Sequence, residues 1–216
     1  LLFIFLCFSV GSVAKKLFVF LAAPMPHYLY LHGFNSGPGS AKATETQTFL
    51  CALGREHRFH CPALSPYPAT ALQQAQALVA RLPADTVLIG SSLGGFYATW
   101  LAETCQRKAV LINPAVRPFL RREVLLQEQH NPYSGERYQL TEADLAVLQR
   151  HFIARPTPQR YWLVLGSADE TLDWREAAQH YAGCRQTIFA GDDHRLQRWH
   201  ECLPALAAFA AGAGGF

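Results

Sequence analysis

The sequence predicts an α/β fold built on a parallel sheet with helices on both faces, and three observations carry that expectation. From His27 onward, short apolar runs alternate with longer amphipathic stretches, the pattern of repeated βαβ units. Most of the runs are continuously apolar rather than alternating, as strands covered on both faces require. With 216 residues, 50% hydrophobic and 16% charged, the chain can also bury one sizeable core.

The strand candidates are YLYLHG (28–33), RFHCPAL (58–64), TVLIG (86–90), AVLIN (109–113), YWLVLG (161–166) and QTIFAG (186–191). Helices are expected at 41–53, 69–82, 93–105, 174–181 and 196–211. The second of these places Leu72, Ala75, Leu78, Val79 and Leu82 on one face. The stretch 117–160 is too long for a simple crossover and carries its own helical run, TEADLAVLQRHF, opened by the Thr141-x-x-Asp144 capping pattern. It is expected to form a helical cap over the C-terminal edge of the sheet.

Residues 1–24 are apolar, but Lys15 and Lys16 interrupt any membrane span and follow the apolar stretch, the reverse of a signal peptide. Met25 is the only methionine and directly precedes the first strand. The expectation is therefore a non-native or disordered extension over 1–24, one domain over 25–216 and no stable membrane insertion. The net charge of +3 is spread along the chain, which argues against nucleic-acid binding. Six cysteines at irregular spacing, with no C-x-x-C, read as reduced thiols, mostly in the core. The HRFHC stretch (57–61) lacks a second ligand pair at zinc spacing and reads as structural. No metal and no organic cofactor is expected.

The chemistry is concentrated in VLIGSSLGGFYATW (87–100). A G-x-S-x-G motif between a strand and a helix is the nucleophile elbow of α/β-hydrolases. Its sharp turn needs small residues two before and two after the nucleophile. Ser92 has Gly90 and Gly94 there, whereas Ser91 would have Ile89 and Leu93. Ser92 is thus the expected nucleophile, activated by a base that a third group orients.

In this fold the order along the chain is Ser, acid, His. His194 alone among nine histidines lies just past the last strand, so it is the expected base. Asp169 leads as the acid, third after Gly166 at a strand end, with Glu170 and Asp173 in reserve; Asp192 and Asp193 read as loop carboxylates too near His194 in sequence to meet its ring. The oxyanion donors are expected to be the N–H groups of Leu93 and of Phe34 in LHGFNSGPGS, with Asn35 and Ser36 as alternatives for the second and His32 as a brace for that loop. Asn35, Phe119 and Tyr133 are expected near substrate, as are Tyr138 and Phe152 from the insertion.

Together, LYLHGFNSGPGSAKA, GSSLGGFYATWLA, NPAVRPF, NPYSGERY, GSADETLDWREA and YAGCRQT resemble the YqiA-like esterases, small bacterial α/β-hydrolases, from Met25 to near Phe209. The resemblance implies a cytoplasmic serine esterase acting on small acyl esters or thioesters, with Ser92, Asp169 and His194 as its triad and Asn113–Phe119 bordering the site. The histidine loop departs from the family pattern: Gly191-Asp192-Asp193-His194-Arg195-Leu196 stands where small or amide residues usually precede the histidine and Ala-Phe follows. Two other readings compete, an acyltransferase using the same triad and a non-catalytic binding protein on this fold.

Overall fold

The computed structural model describes residues 26–210. The expectations for residues 1–24 and for Met25 lie outside the described residues.

Six parallel strands form one sheet in the order β2-β1-β3-β4-β7-β8: β1 (Tyr28–Leu31), β2 (Phe59–His60), β3 (Val87–Ser91), β4 (Ala109–Ile112), β7 (Tyr161–Gly166) and β8 (Arg185–Phe189). The register is continuous across the middle of the sheet, with Leu31 opposite Gly90, Gly90 opposite Leu111, and Leu111 opposite Leu163. Strand pleating sends alternate residues to opposite faces. Leu29, Leu31, Leu88, Leu111 and Leu163 enter one core with α2 (Pro68–Val79) and α3 (Leu93–Thr104). Tyr28, Tyr30, Ile89, Ile112 and Val164 enter a second core with α1 (Ala41–Ala52) and α7 (Trp199–Ala210). Both faces of each central strand are therefore apolar, which is why the runs read as continuous.

Three elements differ from expectation for identifiable reasons. The strand expected at 58–64 shrinks to Phe59–His60, because Pro62 has no N–H for a ladder and the segment lies at the sheet edge. The last helix begins at Trp199 rather than Leu196, since Leu196 sits at φ +48°, outside helical space. Within 117–160 the expected helix is present as α5 (Glu142–Arg150), with Asp144 accepting the Thr141 N–H at 2.8 Å, but it is not alone. A short turn of helix, α4 (Arg122–Leu125), and an antiparallel hairpin, β5 (Glu128–His130) with β6 (Arg137–Gln139), precede it. These strands are three residues long and mostly polar, so they leave no periodic signal. The insertion is anchored by Leu125, Tyr138, Leu140, Leu145 and Leu148, which join the first core beside α2 and α3.

Among the described residues no helix is long and apolar enough to cross a membrane. The five described cysteines are unpaired, but only Cys202 is fully buried and Cys51 is exposed, so the expectation of mostly core thiols holds only in part. Burial pushes the Cys61 and Cys202 thiols up to about 12, which keeps them protonated and unreactive. In HRFHC, His60 stacks on His27 with their facing ring nitrogens 2.9 Å apart. Among the described residues no three His, Cys, Asp or Glu side chains group as metal ligands.

Candidate active site

Strand β3 runs straight into α3, and Ser92 is the hinge between them, at φ +54° and ψ −120°. A non-glycine residue holds such a backbone only where its surroundings impose it. Here they do so by contact. A Cβ at Gly90 would sit 2.5 Å from the Gly94 carbonyl oxygen and 2.7 Å from Gly95 Cα. A Cβ on Gly94 would overlap the Leu31 carbonyl oxygen and meet that of His32 at 2.5 Å. The two glycines let strand, turn and helix approach this closely, and the strained turn lifts Ser92 above the sheet edge. Ser91 stays within β3, buried.

Ser92 Oγ lies 3.2 Å from His194 Nε2, and His194 Nδ1 lies 2.8 Å from Asp169 Oδ2. The Asp169 side chain is 1% exposed, while its Oδ1 accepts the backbone N–H groups of Thr171 and Leu172 at 2.8 Å each. Those two bonds fix the carboxylate, leaving Oδ2 to face the imidazole. The structure thus brings together all three residues expected from the sequence. The reserve carboxylates have other partners: Glu170 accepts the His194 backbone N–H at 3.1 Å, and Asp173 caps α6 (Trp174–His180) through the Arg175 N–H. Asp192 accepts the N–H groups of Gln197 and Arg198, a loop carboxylate as expected.

One residue that the sequence placed only at the border of the site, as the first of Asn113–Phe119, holds this arrangement. Asn113, at φ +40° just past β4, donates from Nδ2 to the carbonyls of Asp193 and His194 at 3.1 Å each and accepts the Gly166 N–H at 2.8 Å. It ties the histidine loop to the end of β7. An asparagine directly after a central strand, a residue type that tolerates positive φ, was the available signal. Gly166 completes the closure, since a Cβ there would meet the Asp192 carbonyl oxygen at 2.5 Å.

Leu93 opens α3, so by position its N–H has no intrahelical acceptor. Among the described residues neither that N–H nor the N–H of Phe34 donates to a backbone carbonyl, and both residues border the same cavity as Ser92. The loop bearing Phe34 is braced by His32. Its Nε2 accepts the Leu64 N–H at 3.0 Å, so Nδ1 carries the proton and donates to the Gly33 carbonyl at 3.1 Å. Burial holds the His32 pKa below 6.5, in keeping with a neutral ring.

Two cavities meet at Ser92. One, of about 230 Å³, lies under the insertion and is walled by Val116, Pro118, Leu120, Val124, Leu125 and Leu172, with the Arg117–Glu176 ion pair at its rim. The other, of about 270 Å³, lies on the His194 side between Ser36, Lys42, Tyr133 and Arg195. Phe119, expected near substrate, is not part of either wall. The turn at Pro118–Leu120 aims Leu120 at the first cavity and packs Phe119 edge-on against Phe152. Tyr133 does line the second cavity, seated over Gly37. Asn35 borders it too, but its amide is engaged by the insertion: it donates to Gln129 at 2.9 Å and accepts the Tyr138 hydroxyl at 2.7 Å.

Residues 27–211 match the family described as "Uncharacterised protein family (UPF0227)". The chain belongs to this family. The resemblance to the YqiA-like proteins seen in the sequence leads to the same place. Solved structures similar to this UPF0227 chain include alpha/beta hydrolase domain-containing protein 10 from mouse, with a TM-score of 0.69 at 16% identity, covering 88% of this chain and 92% of that one. Est1E from Butyrivibrio proteoclasticus, in a structure with bound ferulic acid, has a TM-score of 0.65 at 16% identity and covers 87% and 88%. The esterase domain of a Rhodothermus marinus protein has 0.60 at 21% identity, covering 88% of each. At these identities the likeness is one of fold, and the fold of this UPF0227 chain is that of the α/β-hydrolases.

Proposed function

We propose that this protein is a serine hydrolase of acyl esters or thioesters working through an acyl-enzyme. The observation that carries the reading is the continuous relay from Ser92 Oγ through the His194 ring to a buried, fully bonded Asp169, at 3.2 and 2.8 Å. Ser92 attacks the acyl carbon while His194 Nε2 takes its proton. The oxyanion that forms is met by the N–H groups of Phe34 and Leu93, aimed where charge develops. Collapse breaks the bond to the leaving oxygen or sulfur, which takes the proton from His194. Water, deprotonated by the same ring, then releases the acid and restores Ser92. Asp169 holds the imidazole in the tautomer that can accept at Nε2.

On this reading the insertion 117–160 is a cap on a single catalytic domain, and its apolar cavity receives the acyl group. The protein then works in the cytoplasm, where the five described cysteines, unpaired among themselves, stay reduced. The activities named for the Butyrivibrio and Rhodothermus proteins belong to them, and support this reading only through the shared fold. The test is fluorophosphonate labelling together with hydrolysis of p-nitrophenyl esters. Ser92→Ala should abolish labelling and lower kcat by about 10⁶-fold, the scale of losing a catalytic serine. Ser91→Ala should keep both. Full labelling of Ser92→Ala would overturn the assignment.

A further inference from the structure

The general acid determines on which side of the nucleophile a leaving group departs. The proton that His194 Nε2 takes from Ser92 must pass to the leaving oxygen or sulfur, so that atom has to lie on the His194 side. The two cavities differ in this respect: the apolar one includes Ser92 but not His194, and the second includes both. If Ser92 acts as proposed above, on which this inference rests, the acyl group occupies the first cavity and the leaving group the second.

The second cavity has a marked chemical character. Its lining includes two basic side chains, Lys42 and Arg195, and no carboxylate, together with the hydroxyl groups of Ser36, Ser40 and Tyr133. Among the described residues neither Lys42 nor Arg195 forms a salt bridge. Lys42 is only half-exposed, and the one acceptor of its ammonium group among the described residues is the Arg195 carbonyl at 2.6 Å. Burial depresses the Lys42 pKa; Glu45, Asp193 and Asp169 act in the opposite sense, but Asp169 is committed to His194, and neither Glu45 nor Asp193 borders the cavity. A cation partly stripped of water and lacking a carboxylate partner gains most from an anion brought to it by a ligand.

We propose that the cavity between Lys42, Arg195 and Tyr133 is the leaving-group site, and that it selects esters whose alcohol or thiol part is compact and carries an anionic group. Tyr133 borders the site and packs on Gly37, where a Cβ would stand 2.9 Å from the Tyr133 Cβ. In turnover the acyl C–O or C–S bond breaks, its electron pair goes to the leaving heteroatom, and the proton from His194 neutralises it. The anionic substituent stays paired with Lys42 and Arg195 throughout.

Two esters with one acyl group isolate this site: 4-carboxyphenyl butyrate and its neutral isostere 4-carbamoylphenyl butyrate, each rate normalised to its own hydroxide-catalysed hydrolysis. The parent protein should favour the carboxylate in kcat/KM by about fivefold to tenfold, a modest factor because Arg195 is solvent-exposed. The preference should appear mainly in KM and decline as salt is raised. Arg195→Gln and Lys42→Met should each lower the carboxylate-to-carbamoyl ratio, whereas Arg155→Gln, at an exposed position outside both cavities, should not. Should Lys42→Met fail to fold, Arg195→Gln alone decides. Turnover of both esters by the parent with no preference for the carboxylate overturns the leaving-group site and leaves the hydrolase standing. Turnover of neither overturns the hydrolase reading and this proposal with it.

Discussion

The elbow at Ser92 and the insertion above it are held by different forces. At the elbow, backbone meets backbone: glycines at 90, 94 and 95 let β3, α3 and the β4 loop close to distances at which any Cβ would collide. The insertion reaches the site through side chains. Tyr138 and Gln129 bond Asn35, and Asn131 donates to the Ser36 carbonyl at 3.0 Å. Its outer ion pairs, Arg122–Glu142 and Arg137–Glu128, are exposed and contribute about 0–1 kcal/mol each. The lesson is a division of labour. The side chains of the proposed relay stand where small shifts are sterically forbidden, and the apolar cavity beside them is bounded by a segment whose contacts can be exchanged one at a time.

Of the tests of this contrast, the largest expected effect separates two acids in the loop after β7. Asp169→Asn should lower kcat by about 10³- to 10⁴-fold, because the amide presents the wrong donor to His194 and releases the tautomer. Asp173→Ala removes the cap on α6 and an exposed contact with Arg175 at the edge of the first cavity, so it should cost about 1 kcal/mol of stability and less than tenfold in activity. Steady-state kinetics on one ester, with a melting curve for each variant, checks both. A larger loss for Asp173→Ala would move the acid out of the relay.

Gly94→Ala tests whether the elbow tolerates any relaxation. The added methyl faces the carbonyl oxygens of Leu31 and His32, and the only escape is to part α3 from β1. A destabilisation of about 3 kcal/mol or more is expected from such overpacking, read by chemical denaturation. A change under 1 kcal/mol would mean that the elbow is as adaptable as the cap.

The same contrast explains what the sequence made legible. The parallel strands and the meeting of Ser92, Asp169 and His194 could be read because they follow from rules about backbone: continuous apolar runs, small residues at a tight turn, and the order of loops along the chain. The hairpin at 128–139 could not, because Glu128-Gln129-His130 and Arg137-Tyr138-Gln139 are mostly polar and gain their shape from partners far away in sequence. Phe119 was misplaced for a related reason. A one-turn helix decides whether Phe119 or the neighbouring Leu120 faces the cavity, and no periodicity exists over three residues. Asn113 was read only as bordering the site, since its tethering role depends on two loops that only the fold brings together.

Tyr138→Phe probes the seam between the two regions. It deletes one hydroxyl donor and leaves Asn35 Oδ1 to find water, at a cost of about 1 kcal/mol. Because Asn35 follows Phe34 directly, a loosened loop should lower kcat a few-fold and leave KM for a small ester nearly unchanged. A rise in KM with constant kcat would place Tyr138 in contact with substrate instead.

The smallest effect concerns the other brace of that loop, His32, and it is set by pH. Burial holds its folded pKa below 6.5, so as pH falls through about 6.5 the unfolded chain takes up a proton that the folded ring resists. Its contribution is complete above that pH and is lost progressively below it. Protonation also takes away the lone pair on Nε2 that accepts the Leu64 N–H, and so removes the link between the Phe34 loop and the segment after β2. His27, His60 and His180 are shifted the same way by burial, so the acid sensitivity of the parent is a sum. The His32 share is isolated by difference: denaturation midpoints at pH 7.5 and 5.0 should fall further apart in the parent than in His32→Gln. Equal separations would mean that the loop bearing Phe34 holds its place without a neutral imidazole, as firmly as the elbow does with its glycines.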